Sequence, residues 1–135
     1  MRQPGGLEDA RLEPMDEQLR ERRVLVVDDD EAMRSAVADV LRQDGFDVAV
    51  ASGGEEAMSS LDREAPPALV VLDLMMPGVT GWQVLEAMER TARLADVPVI
   101  VVTAFGAKAG LPAGCRVLHK PFDCDVLLAE VRALT

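Results

Sequence analysis

An α/β fold with a doubly wound parallel sheet is what this sequence predicts, and three observations lead there. Short β-branched runs alternate with stretches of helical periodicity from about residue 23 to the end. The central runs, Val24-Leu25-Val26-Val27, Ala68-Leu69-Val70-Val71-Leu72 and Val99-Ile100-Val101-Val102, are apolar without a break. Parallel strands covered on both faces read this way, whereas a half-exposed strand alternates. Finally, 135 residues, 49% of them hydrophobic, suit one domain with one buried core and show no internal repeat.

In chain order, Val24–Val27 is the first strand. Met33, Val37, Val40 and Leu41 follow at helical spacing and Gly45 closes that helix. Phe46–Ala51 reads as the second strand and Glu55–Arg63 as the second helix, with Ala57, Met58 and Leu61 on its apolar side. Pro66 and Pro67 stop that helix before the third strand, 68–72. Gly81–Arg93 is expected as the third helix with Trp82, Leu85 and Met88 inward, then Val99–Val102 as the fourth strand. Cys115–His119 makes a short fifth strand, and Asp123–Leu134 a closing helix with Leu127, Val131 and Leu134 on one face.

Ahead of these elements, residues 1–22 mix both charges with Pro4, Gly5, Gly6 and Pro14, and are expected to form a flexible extension to a domain at 23–135. A short helix from Met15 to Arg22 is compatible with that segment, and Met15 is a second candidate start. No apolar run approaches the ~20 residues that cross a bilayer, and the N-terminus lacks the apolar stretch of a secretory signal. Two cysteines, Cys115 and Cys124, give no disulfide framework, which fits a reducing, cytoplasmic setting. The net charge of −10 opposes a nucleic-acid surface, because a field of that sign repels phosphate backbones.

Ligands of such sheets sit beyond the carboxyl ends of the strands. There the first strand ends in Asp28-Asp29-Asp30, the third in Asp73, the fourth in Thr103, and the fifth runs into Lys120. Crowded carboxylates repel, and a hard divalent cation relieves them; Mg²⁺ favours oxygen ligands and typically binds through one or two carboxylates plus a phosphate. A carboxylate is also a nucleophile toward phosphorus, while an ammonium and a hydroxyl can stabilise charge on the transferred group. The set therefore matches phosphoryl transfer to Asp73. Each residue also has a plainer reading: helix capping for Asp28, Asp29 and Asp30, a turn before Met76-Pro77-Gly78 for Asp73, a strand position for Thr103, and a solvated lysine for Lys120. Convergence of all of them on one sheet edge favours the site, with Asp30 kept as a cap. His119, the single histidine, reads as an ordinary strand residue, and the cysteines as structural thiols.

With VLVVDDDEAMR, LVVLDLMMPGVTGW, VPVIVVTA and HKPF in that order, the sequence resembles the response-regulator receiver domains of two-component signalling over about residues 23–135. That resemblance implies a flavodoxin-like, five-stranded sheet in the order 2-1-3-4-5, with Asp73 as phosphoacceptor. It implies Mg²⁺ held by Asp28, Asp29, Asp73 and the main-chain carbonyl of Met75, and a phosphoryl group bound by Thr103 and Lys120. It also implies a cis Lys120–Pro121 bond, which X–Pro sequence makes accessible at roughly 0.5–1 kcal/mol.

Two departures stand out. Only 17 positions separate Thr103 from Lys120, fewer than the family usually has, so its fourth helix is expected to be shortened or missing; 104–112, with two glycines and a proline, can hold at best about one turn. Val117 occupies the place where many relatives carry an aromatic residue. The output face is therefore expected to be remodelled, with Thr103 still sensing the phosphoryl group. Apolar neighbours Met75 and Phe105 suggest slow attack by water on the phosphorylated state. The implied donor is a sensor histidine kinase or phosphotransfer protein, with output through a downstream protein effector or an output domain outside this sequence, and with no nucleic acid or membrane as partner. An acceptor that reacts once on itself is not a turnover enzyme. Two rivals remain: a degenerate receiver that binds proteins without phosphorylation, and a haloacid-dehalogenase-like phosphatase using Asp28, which Ala32 disfavours by standing where that pattern needs threonine.

Overall fold

The unbroken apolar runs, rich in β-branched valine and isoleucine, form strands that take cover on both sheet faces. In the computed structural model, which describes residues 22–104, 111–112 and 115–135, β1 spans Arg23–Val27, β2 Asp47–Ala51, β3 Leu69–Asp73, β4 Val99–Thr103 and β5 Arg116–His119. They form one sheet in the order β2-β1-β3-β4-β5, every neighbouring pair parallel, the flavodoxin-like order expected from the resemblance. The helices among the described residues are α1 Glu31–Gln43, α2 Gly54–Arg63, α3 Gly81–Arg90 and α4 Cys124–Leu134.

Successive strand residues enter opposite cores. Leu25, Val27, Leu72 and Val101 pack with Ala57 and Leu61 of α2 and with Val84, Leu85 and Met88 of α3. Val24, Val26, Val71, Ile100 and Val102 pack on the other face with Val37 and Leu41 of α1 and Leu127 and Val131 of α4. This two-residue alternation between two cores explains why the runs carry no polar positions.

Caps fix where the helices begin. Asp30 accepts from the N–H groups of Ala32 at 3.0 Å and Met33 at 3.3 Å, the role expected of it. Thr80 and Gln83 form a reciprocal box at the start of α3: Thr80 Oγ1 accepts from Gln83 N–H at 3.3 Å and Gln83 Oε1 from Thr80 N–H at 2.8 Å. At the far ends of α1 and α4, Arg132 Nε donates to Asp44 Oδ2 at 3.0 Å and ties the two helices together.

Some expectations need correcting. Helix α3 ends at Arg90, not Arg93. Thr91 Oγ1 turns back to the Ala87 carbonyl at 2.9 Å, and the Arg93 guanidinium reaches the last carbonyls of α2, including that of Asp62 at 3.1 Å. Leu94 is thereby drawn into the core from a turn rather than from a helix. Trp82 is only half-buried against that core, and Val84 takes the fully buried place. Between β4 and β5 the described residues Ala104, Leu111, Pro112 and Cys115 are all non-helical, which agrees with a shortened or missing helix. Phe105 and most of the expected turn at 104–112 lie outside the described residues, as do residues 1–21 of the expected flexible extension and almost all of the helix suggested from Met15. Among the described residues no helix is long and apolar enough to cross a membrane.

The start of α3 abuts the backbone of the β3 end. A Cβ on Gly81 would lie 2.5 Å from the Asp73 carbonyl oxygen and 2.7 Å from Leu74 Cα, whereas one on Gly53 would meet nothing within 4 Å. Gly81→Ala is expected to destabilise the protein by about 2–3 kcal/mol in urea denaturation, with Gly53→Ala changing it by less than about 1 kcal/mol. Equal effects of the two substitutions would contradict this packing.

Candidate metal and phosphoryl site

Register builds the site. Val27 pairs with Leu72, so the residues that follow them, Asp28 and Asp73, emerge side by side at the carboxyl edge. Thr103 ends β4 and pairs with His119, which sets Lys120 next to it; the Lys120 N–H donates to the Thr103 carbonyl at 2.7 Å. The Lys120–Pro121 peptide is cis, as the resemblance implied.

Among the described residues, Asp28, Asp29 and Asp73 form a group in which one carboxylate oxygen from each lies within 4.8 Å of the others. Asp28 and Asp73 are 5% and 4% exposed, Thr103 is fully buried, and Asp29 faces solvent. Lys120 Nζ sits 3.1 Å from Asp28 Oδ2 and 3.7 Å from Asp73 Oδ2. The structure thus brings Asp28, Asp29, Asp73 and Lys120 together, with Thr103 joined to Lys120 through the backbone. The Met75 N–H donates to Asp73 Oδ1 at 3.3 Å, and the Met75 side chain is 52% exposed beside the site. Exposed His119 and the capping Asp30 stay outside the acid group.

Burial pushes the Asp73 carboxyl up from 3.8 to about 6, and the charge of Asp28 and a hydrogen bond with Asp29 add to this; the Lys120 ammonium and the Met75 N–H pull the other way. For Lys120, burial works against the charged form, but the hydrogen bond to Asp28 and the surrounding carboxylates outweigh it and raise its pKa. One ammonium among three carboxylates leaves excess negative charge in a partly dry place. An oxygen-only donor set with that imbalance fits a hard divalent cation.

Sequence reasoning had not singled out two contributors. Arg34, on α1, donates from Nη1 to the Asp28 carbonyl at 2.9 Å, and the Asp30 N–H donates to Asp28 Oδ1 at 2.9 Å. A cation in the first turn of a helix, against the helix dipole, was the signal that could have marked Arg34. A cleft of about 300 Å³ among Leu85, Met88, Leu94, Val99 and Pro112 lies at the opposite end of β4, and Glu89 is the one carboxylate among its described lining residues.

Residues 24–132 match the family described as response regulator receiver domain. The chain is 39% identical over 117 residues to the DNA-binding dual master transcriptional regulator RpaA of Synechocystis, an alignment covering 83% of this chain and 48% of that protein. It is 41% identical over 117 residues to the response regulator MprA of Mycobacterium leprae, covering 83% of this chain and 50% of MprA. The chain therefore spans about half the length of the curated relatives it matches. Among solved structures, the chemotaxis response regulator CheY4 of Vibrio cholerae superposes with a TM-score of 0.77 at 26% identity, over 84% of this chain and 98% of CheY4. The response regulator TrrA of Thermotoga maritima, in complex with Mg²⁺ and BeF, gives 0.75 at 29% identity over 84% and 99%.

Because the folded Asp73 holds its proton more tightly than the unfolded one, the sign of its contribution to stability follows. Below pH 3.8 both states are protonated and nothing is lost, whereas above about pH 6 the fold carries the full cost of a buried charge. Without divalent cations, Asp73→Asn is expected to be about 1–3 kcal/mol more stable than the wild type at pH 7.5, with the gap closing toward pH 4. Urea midpoints across that range check it; a gap independent of pH would refute the assignment.

Proposed function

This chain belongs to the response regulator receiver domain family, and from that premise we propose that Asp73 accepts a phosphoryl group, with Mg²⁺ beside it, and that the domain relays the modification by changing shape. The observation that carries this reading is the convergence of Asp28, Asp29, Asp73 and Lys120 on one sheet edge, two of the acids buried. Asp73 is the nucleophile because it is central, buried and oriented by the Met75 N–H.

The residues divide the work. Asp28, Asp29, Asp73 and the Met75 main-chain carbonyl would hold Mg²⁺, which supplies charge neutralisation for the acids and for phosphoryl oxygens when bound. An Asp73 carboxylate oxygen forms the new bond to phosphorus as the bond from phosphorus to the donor breaks, and the electron pair leaves with the donor. With a phosphohistidine donor the leaving imidazole takes up a proton. Lys120, at present engaged by Asp28 and Asp73, turns its ammonium to an equatorial oxygen, and the Thr103 hydroxyl hydrogen-bonds another. The donor is a sensor histidine kinase or a phosphotransfer protein, and the setting cytoplasmic. The signal leaves through protein contacts or a further domain, across the altered segment 104–118. Since acceptance happens once per molecule, the domain is a switch and not a turnover enzyme.

The short β4–β5 connection favours one second reading, a receiver that binds a partner without being phosphorylated. Incubation with acetyl phosphate and Mg²⁺, followed by peptide mass mapping, separates the two. One phosphoryl group is expected on Asp73, lost in Asp73→Asn and in the presence of EDTA. An unlabelled Asp73 in a chain that still binds Mg²⁺ would select the binding module, and label on any other residue would overturn the proposed acceptor.

A further inference from the structure

Arg34 is oddly placed for a cation. Its backbone N–H closes the first turn of α1 on the Asp30 carbonyl at 2.9 Å, so it lies at the positive end of the helix dipole, where a positive side chain is disfavoured. Its side chain is half-buried and folds back over the helix start, and its Nη1 donates to the Asp28 main-chain carbonyl at 2.9 Å. That carbonyl belongs to the peptide linking Asp28 to Asp29. Holding it restrains ψ of Asp28 and so the plane of the peptide that carries the Asp29 Cα, from which the Asp29 side chain departs.

The three acids differ in how they are secured. Asp28 has its own ties, accepting from the Asp30 N–H at 2.9 Å and from Lys120 at 3.1 Å. Asp73 accepts from the Met75 N–H at 3.3 Å and is buried within the sheet edge. Asp29 is the exposed member, on a strand-to-helix corner, and the Arg34 bond fixes the peptide plane from which it projects.

We propose that Arg34 is a positioning residue that presents the Asp29 carboxylate to the cation by holding the Asp28–Asp29 peptide. This rests on the reading that the acid group binds Mg²⁺. Charge and position make opposite demands here, which gives the test its sign. A guanidinium near a divalent cation repels it, so if Arg34 acted through charge alone, removing it would tighten Mg²⁺ binding. If Arg34 acts by positioning, removing it loosens binding.

Isothermal titration of the full chain with MgCl₂ is the deciding measurement, on wild type, Arg34→Ala and Arg34→Lys. Arg34→Ala is expected to weaken Mg²⁺ by about tenfold, the usual effect of losing a partner that orients a metal ligand, and Arg34→Lys to recover part of it. Labelling of Asp73 by acetyl phosphate should regain the wild-type rate at saturating Mg²⁺, as a purely structural defect would not allow. Unchanged or tighter Mg²⁺ binding in Arg34→Ala overturns the proposal. Should the alanine variant fail to fold, Arg34→Met, which keeps an apolar stem without charge or donor, carries the same expectation and the same refuting result. A wild-type chain that gives no heat with Mg²⁺ refutes the metal reading itself, whereas normal wild-type binding with an unaffected variant refutes only the role of Arg34.

Discussion

Two carboxylates are forced together by the sheet itself. As long as Val27 pairs with Leu72, Asp28 and Asp73 must emerge as neighbours, and both are almost wholly buried. The closeness of the two acids is therefore built into the register. Much of the surrounding structure answers it. Lys120 is delivered from the far side of β4 to stand between them, the Asp30 N–H takes one Asp28 oxygen, and the Met75 N–H takes one of Asp73. Even so, the Asp73 carboxyl stays well above its ordinary range. An arrangement that is unfavourable alone and relieved by a bound cation is how a folded scaffold makes affinity for that cation.

The core beyond β4 is closed differently from the rest. On that face α2 and α3 cover β1 and β3, while the margin near β5 is closed by Leu94 and Val97 from the α3–β4 turn and by Leu111, Cys115 and Val117. Of the two apolar residues of β5, Val117 packs on this face and Leu118 on the other, both with intermediate burial.

Much of this was legible in the sequence, and for physical reasons. The unbroken runs of β1, β3 and β4 reported burial on both faces, and the residues ending each run reported what the carboxyl edge would hold. Asp30 as a cap followed from its place before the helix. What could not be read were contacts made by long side chains across sequence distance. The Arg93 guanidinium, just beyond the end of α3, reaches the last carbonyls of α2, and neither partner carries a local mark of the other. Arg34 turning back to the Asp28 carbonyl, and Lys120 pairing with Asp28 across 92 positions, are likewise matters of three-dimensional reach. Gly81 looked like an ordinary helix start, and its need for a bare α-carbon shows only once Asp73 lies against it.

The short hydrogen bond from the Lys120 amide to the Thr103 carbonyl carries one more implication. It locks the main chains that bear the hydroxyl and the ammonium into a common frame, so neither can follow a ligand by shifting its backbone alone. What remains free to adjust is torsional, and the two residues are unequal in that respect. Lysine has a long chain of nearly equivalent rotations, while a fully buried, β-branched threonine has a few discrete settings. Of the pair, Lys120 therefore has the wider torsional reach, and Thr103 only a small set of staggered settings within a fixed frame.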